Sequence, residues 1–185
     1  MANKIKKMTL HYAYLCLENE EVGEICSSVE GDMRAYLDEN YPEHYQTFFG
    51  SQMKDPTIPD LEENIESSPQ TLKNKDLKKL YRKIATKTHP DKSSNKTSSQ
   101  LFAQAAKAYS KNDMGKLLEI AGNINIEMPA LSSETISLLK ENIKTLCDKI
   151  ERKKQTSAWL WHTAKTNEEK RDIIRYILNT KGVSL

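Results

Sequence analysis

The most informative stretch of this 185-residue sequence is residues 76–91, Asp-Leu-Lys-Lys-Leu-Tyr-Arg-Lys-Ile-Ala-Thr-Lys-Thr-His-Pro-Asp. Its apolar and small residues recur at intervals of three and four, which predicts an amphipathic helix with one buried face. The residues on that face are Leu77, Leu80, Tyr81, Ile84, Ala85 and Thr88. Most of the lysine and arginine side chains fall on the remaining faces, so the helix should present a dense positive charge.

Pro90 predicts where this helix ends. Proline disfavours helical geometry at the preceding residue and lacks a backbone N–H group, so the helix should stop near Thr88. Serines and an asparagine extend the break into a loop, and a second helix should begin near Ser98 or Ser99. The apolar stripe of that helix consists of Leu101, Phe102, Ala105, Ala108 and Tyr109. Because its central residues are small, we expect an antiparallel hairpin with His89 and Asp91 displayed at its tip.

These features together resemble the J domain of DnaJ-like co-chaperones. The triplet His89-Pro90-Asp91 follows a basic helix, and Tyr81 lies eight residues before the histidine. Residues 102–109, Phe-Ala-Gln-Ala-Ala-Lys-Ala-Tyr, are similar to the Phe-x-x-x-x-x-Ala-Tyr stretch in the third helix of that family. The sequence departs from the family pattern at two helices. The first helix lacks a Tyr-x-x-Leu-Gly-like segment, and the fourth helix also differs. Neither a Gly/Phe-rich region nor a Cys-rich zinc module is present.

The expected fold is all-α, with the J-domain helical hairpin embedded between N- and C-terminal helical segments. We predict an N-terminal helical region at 1–50, a Pro-containing linker at 51–59, the J domain at 60–123 and a C-terminal helical hairpin at 131–185. In the last segment Ile136, Leu139, Ile143, Leu146 and Ile150 alternate in steps of three and four. That spacing is typical of a short heptad repeat. Asn167, followed by two glutamates, is the expected N-cap of a later helix.

The N-terminal region shows helical spacing but contains helix-breaking residues. Leu10, Ala13, Tyr14 and Leu17 recur at helical intervals. Gly23, Gly31 and Pro42 interrupt the pattern that follows. We therefore expect two or three short helices there rather than one long helix.

The resemblance implies binding to a DnaK-type 70-kDa heat-shock chaperone and stimulation of its ATP hydrolysis, which would aid protein folding or assembly of an unknown client. The implied chaperone-binding residues are His89, Pro90, Asp91, Lys78, Lys79, Arg82 and Lys83. The lysine and arginine side chains would attract an acidic surface, and Asp91 would make a charge-assisted hydrogen bond. The implied core residues of the domain are Leu77, Tyr81, Ile84, Phe102, Ala105 and Tyr109.

Other interpretations of the same residues stay open. A basic helix binds phosphate backbones as well as acidic proteins, although a nucleic-acid module would not require the His-Pro-Asp triplet. An assembly adaptor with an inert J-like domain would keep the triplet without the ATPase response. His89 and Asp91 as a general base and its orienting partner would make an enzyme, but no nucleophile or oxyanion donor lies nearby in sequence. We therefore expect no enzyme, no catalytic residue, no cofactor and no nucleic-acid partner.

Composition restricts the remaining possibilities. The net charge is only +2, but residues 73–96 hold nine basic and two acidic side chains, whereas residues 18–43 hold nine acidic and one basic. The three cysteines are scattered and lack zinc-ligand spacing, which favours reduced thiols in the cytosol. No segment approaches the roughly 20 apolar residues of a membrane span, and no signal-peptide pattern is visible. The expectation is a soluble, cytoplasmic protein without a bound metal or a membrane partner.

Overall fold

The computed structural model describes residues 2–44, 74–90, 96–127 and 130–180. The helices in these ranges are α1 (Ala2–Asn40), α2 (Lys75–Thr88), α3 (Lys96–Ser110), α4 (Met114–Asn123), α5 (Ser133–Lys154), α6 (Ser157–Thr163) and α7 (Asn167–Thr180). No β-strand occurs in the described ranges, so the predicted all-α class is confirmed. The predicted linker at 51–59 and the side chain of Asp91 lie outside the described residues.

The chain divides into two compact units. Of the described residues, the first unit contains those in the ranges 2–17 and 74–147, and the second contains those in the ranges 18–44 and 148–180. The hairpin identified from the sequence lies in the first unit. The domain boundaries inferred from the sequence stay predictions.

The N-terminal region forms one long helix, so the expectation of two or three short helices is wrong. Helix α1 continues through Gly23 and Gly31 and ends before Pro42. Each mid-helix glycine costs about 1 kcal/mol relative to alanine, which burial of one or two apolar side chains offsets. The buried apolar residues of α1 are Ile5, Tyr12 and Leu15 in the first unit and Val22, Val29, Met33 and Leu37 in the second.

The hairpin of α2 and α3 is antiparallel, as the sequence predicts. The rings of Tyr81 and Tyr109 stack at 4.6 Å near one end of the pair, and those of His89 and Phe102 meet at 5.4 Å near the other. Between these contacts Ala105 is fully buried, so the helices can approach closely. Helix α4 packs against both helices, and its buried side chains join them in the core of the first unit.

Asparagines in the left-handed conformation end two helices of this unit. Asn112, with φ 53°, follows α3, and Asn125, with φ 52°, follows α4. In each case the next residue donates its backbone N–H to a carbonyl five residues earlier, which is the Schellman motif. Both asparagines thereby produce sharp chain reversals that return α4 and the segment after it towards α2.

In the second unit, α6 and α7 pack together beside the second half of α1. The core contains Val29, Met33, Leu37, Trp161, Ile174, Ile177 and Leu178. Helix α7 begins with a capping box in which Thr166 accepts the N–H of Glu169, and the Glu169 carboxylate accepts the N–H of Thr166. The capping residue is therefore Thr166 rather than the predicted Asn167, because Glu169 lies three residues after Thr166, the spacing that this reciprocal pair requires.

Candidate functional site

Helix α2 separates its apolar and basic residues onto opposite faces. Asn74 caps the helix by accepting the N–H groups of Asp76 and Leu77, at 3.0 and 3.2 Å. The residues buried against the core are Leu77, Leu80, Ile84 and Thr88. The exposed residues include Lys78, Lys79, Arg82 and Lys83. Burial of the first set determines how the helix is rotated, and this rotation places the four predicted cations at the surface.

Helix α2 ends just before Pro90. Thr88 is the last helical residue, and His89 adopts φ −57° and ψ 132°, an extended conformation. Because a proline disfavours helical geometry at the residue before it, the local sequence accounts for this change of direction. Pro90 itself is exposed.

The His89 ring is positioned by the second helix of the hairpin. It is half-buried, and Phe102 of α3 meets it in an edge-to-face arrangement with an interplanar angle of 75°. Such a geometry is favourable for aromatic rings, and it limits the orientations that the imidazole can adopt. His89 therefore lies at the bend of the hairpin, where Phe102 restricts the orientation of its ring. Part of its surface is accessible to a partner.

The six predicted core residues fall into two groups. Leu77, Ile84 and Ala105 are buried in the core of the first unit. Tyr81, Phe102 and Tyr109 are half-buried and join the two helices through ring contacts.

A groove of about 680 Å³ follows the basic face of α2. Its lining residues are Lys75, Lys78, Lys79, Arg82, Lys83, Thr86 and Ile126. Four of the seven residues predicted to bind a chaperone thus line one concave surface. Five positive charges on a short stretch of helix produce a field that attracts acidic groups.

Asp76, the acidic residue at the start of α2, is not among the residues that line this groove. Oδ2 of Asp76 accepts hydrogen bonds from the backbone N–H of Ser132 at 2.9 Å and from the Thr135 hydroxyl at 2.8 Å. The Ser132 N–H, with a further contribution from Thr135, holds the pKa of the Asp76 carboxyl below its usual range. Asp76 is therefore ionised at neutral pH and joins the beginning of α2 to the beginning of α5.

Ile126 is the lining residue that the sequence does not indicate. It follows α4, about 40 residues after the helix whose groove it lines, and no local pattern relates the two. Lys87 Nζ donates a hydrogen bond to the carbonyl of Ile124, which holds this segment beside α2.

Other kinds of site find little support among the described residues. No cluster of three or more His, Cys, Asp or Glu side chains is placed there to hold a metal ion. None of the helices described in these ranges has the length and apolar character needed to cross a membrane.

Comparison with known protein families identifies the α2–α3 hairpin as part of a DnaJ domain. Residues 67–111 match the family model of the DnaJ domain. The matched range contains α2, the His-Pro-Asp triplet and α3, but not Ile126. No curated protein and no solved structure matches the chain.

Proposed function

We propose that this chain, whose residues 67–111 match the DnaJ domain, is a co-chaperone that binds a DnaK-type 70-kDa heat-shock chaperone and stimulates its ATP hydrolysis. One observation supports this proposal above the others. The basic groove of α2 and the half-exposed His89, held by Phe102, occur on the same helical hairpin. A partner that contacts both must combine an acidic surface with a site for the bend of the hairpin.

The cations of the groove would act first. Lys78, Lys79, Arg82 and Lys83 attract an acidic chaperone surface over a distance of about 8–10 Å at physiological salt. This attraction accelerates association and orients the encounter, and added salt weakens it.

The bend of the hairpin would then make the specific contacts. His89 would pack and hydrogen-bond in the chaperone, and Asp91 would form a charge-assisted hydrogen bond with a basic group there. If these contacts are better in the chaperone conformation that hydrolyses ATP, binding shifts the population towards it. In this proposal the chain acts as an allosteric ligand and is not itself an enzyme.

The test is a single-turnover ATPase assay with a purified DnaK-type chaperone and the full-length chain. We expect the wild type to accelerate hydrolysis and His89→Gln to remove most of that acceleration. His11→Gln, an exposed histidine on α1, is the matched control and should behave as the wild type. A wild-type chain without effect on hydrolysis, or a His89→Gln variant as active as the wild type, would contradict the proposal.

A nucleic-acid-binding function would use the same groove, and one variant separates the two functions. Phosphate contacts depend on the cations alone, so Asp91→Asn should leave binding to a DNA or RNA oligonucleotide unchanged. In the co-chaperone function the same variant should abolish ATPase stimulation. Chaperone binding without any ATPase response would favour an assembly adaptor.

A further inference from the structure

The basic groove has one side that the matched DnaJ domain does not supply. Helix α2 provides Lys75, Lys78, Lys79, Arg82, Lys83 and Thr86, whereas Ile126 comes from the segment after α4. The family match ends at residue 111, so Ile126 is a contribution of this chain beyond the matched domain. Among the described lining residues it is the apolar one.

Hydrogen bonds hold the backbone that leads to Ile126. Its N–H donates to the carbonyl of Ala121 at 2.8 Å, and Asn125 in the left-handed conformation donates to Gly122 at 3.1 Å. In addition, the Lys87 ammonium of α2 donates to the carbonyl of Ile124. These bonds fix the segment to both α4 and α2.

The side chain of Ile126 is partly in the core and partly at the groove. It packs against the buried cluster of the first unit and is only partly buried. A β-branched side chain has few rotamers, so its exposed methyl groups form a rigid apolar surface among the cations. A partner bound in the groove would cover that surface.

We propose that Ile126 determines which acidic surface the groove binds, by requiring an apolar side chain of the chaperone opposite it. This inference rests on the proposed co-chaperone function. Charge attraction alone discriminates poorly between acidic surfaces, because it acts at a distance and is screened by salt. An apolar contact requires matching shape at one point and is not screened, so it slows dissociation selectively.

The two kinds of contact differ in their salt dependence, which provides the test. We would measure the affinity of the full-length chain for a purified DnaK-type chaperone in the ATP-bound state at several salt concentrations. Ile126→Thr should weaken binding about 5- to 10-fold at every concentration, because it removes apolar surface and leaves all charges in place. Lys79→Gln should weaken binding most at low salt and reduce the salt dependence.

Ile136→Thr is the matched control. Ile136 is also a half-buried isoleucine packed against the same core, but it does not line the groove. The Ile136→Thr variant should lose about as much stability as Ile126→Thr does, but it should keep its affinity for the chaperone. Ile126→Val, which removes one methylene and preserves the fold, should weaken binding about threefold.

Three results would overturn the inference. In the first, Ile126→Thr and Ile126→Val bind the chaperone as tightly as the wild type. In the second, Ile126→Thr and Ile136→Thr lose affinity by the same factor, which would indicate a general effect on the fold. In both cases the ATPase response of the wild type would still support the proposed function. A wild type that neither binds nor stimulates the chaperone would overturn both.

Discussion

The hydroxyl of Tyr12 donates a 2.7 Å hydrogen bond to Oδ2 of Asp113, whose other carboxylate oxygen caps helix α4 by accepting the N–H of Lys116. Burial of the phenol, and then the neighbouring carboxylate, raise the pKa of Tyr12 well above its ordinary value. The hydroxyl therefore remains protonated and donates at all physiological pH values. A residue of α1 thus stabilises the helix cap that follows the α2–α3 hairpin.

Tyr12→Phe should destabilise the first unit by about 1–2 kcal/mol, because it leaves one oxygen of the Asp113 carboxylate without its hydrogen-bond donor. Urea unfolding followed by far-UV circular dichroism measures this change. The two tryptophans, Trp159 and Trp161, lie in the second unit, so their fluorescence provides an internal reference for it. Tyr14→Phe is the control, since Tyr14 is 60% exposed and should change stability by less than about 0.5 kcal/mol.

Gly115→Ala should destabilise the protein, although alanine is normally the better helix former. A Cβ at position 115 would lie 2.5 Å from Cε2 and 2.7 Å from Cγ of Tyr12, a ring that is 5% exposed and hydrogen-bonded at its far end. We expect a loss of about 1–3 kcal/mol in the free energy of unfolding.

Gly122→Ala in the same helix is the matched control for that substitution. A Cβ there meets no atom within 4 Å, so the variant should gain about 0.5–1 kcal/mol from helix propensity. Thermal unfolding of the two variants should therefore shift in opposite directions. Equal shifts would show that the Tyr12 ring does not restrict position 115.

Asp76→Asn should destabilise the protein by about 1–2 kcal/mol at neutral pH, because it removes the charge that strengthens the bonds from Ser132 and Thr135. The folded-state pKa of Asp76 lies below its unfolded value of about 3.9. The carboxylate therefore stabilises the fold above pH 4, and this contribution is lost as pH falls through the folded-state pKa.

Urea unfolding of wild type and Asp76→Asn at pH 7 and at pH 3 checks this dependence. The stability difference between them should be largest at pH 7 and should shrink in acid. Asp172→Asn, an exposed carboxylate paired with Arg175, should differ from the wild type by less than about 0.5 kcal/mol at both pH values. A difference for Asp76→Asn that does not change with pH would argue against the charge as its cause.

Phe102→Leu should impair the proposed co-chaperone function while preserving the fold. Leucine fills most of the apolar space but removes the ring that orients His89. Since an aromatic pair contributes about 0.5–1.5 kcal/mol, we expect ATPase stimulation to fall about three- to tenfold in the single-turnover assay. Tyr109→Leu alters the opposite end of the hairpin and should leave stimulation close to that of the wild type. Equal losses in both variants would indicate that Phe102 acts only through hairpin stability.

Local signals were sufficient to predict the centre of the first unit. The three- and four-residue spacing from Leu77 to Thr88 identified α2 and its buried face, and Pro90 located its end. Small residues at the centre of α3 predicted the antiparallel pairing. Each of these inferences depends on residues within one helix or one turn, where backbone geometry and burial act over short sequence distances.

Other features depended on residues distant in sequence. Leu10, Tyr14 and Leu17 recur at helical intervals, and so do Ile5, Tyr12 and Leu15, yet the first set is exposed and the second is buried. An isolated helix with two apolar stripes does not determine which of them packs, because that depends on the surface available elsewhere in the chain.

The sequence by itself determined the basic hairpin and the position of its bend. Only the tertiary structure decided that α1 continues through its glycines, that Tyr12 supports the Asp113 cap, and that Ile126 lines the groove of α2. The reason is physical. Helix periodicity and proline geometry act between neighbouring residues, whereas burial and side-chain hydrogen bonds are made with whichever residues the completed fold brings near.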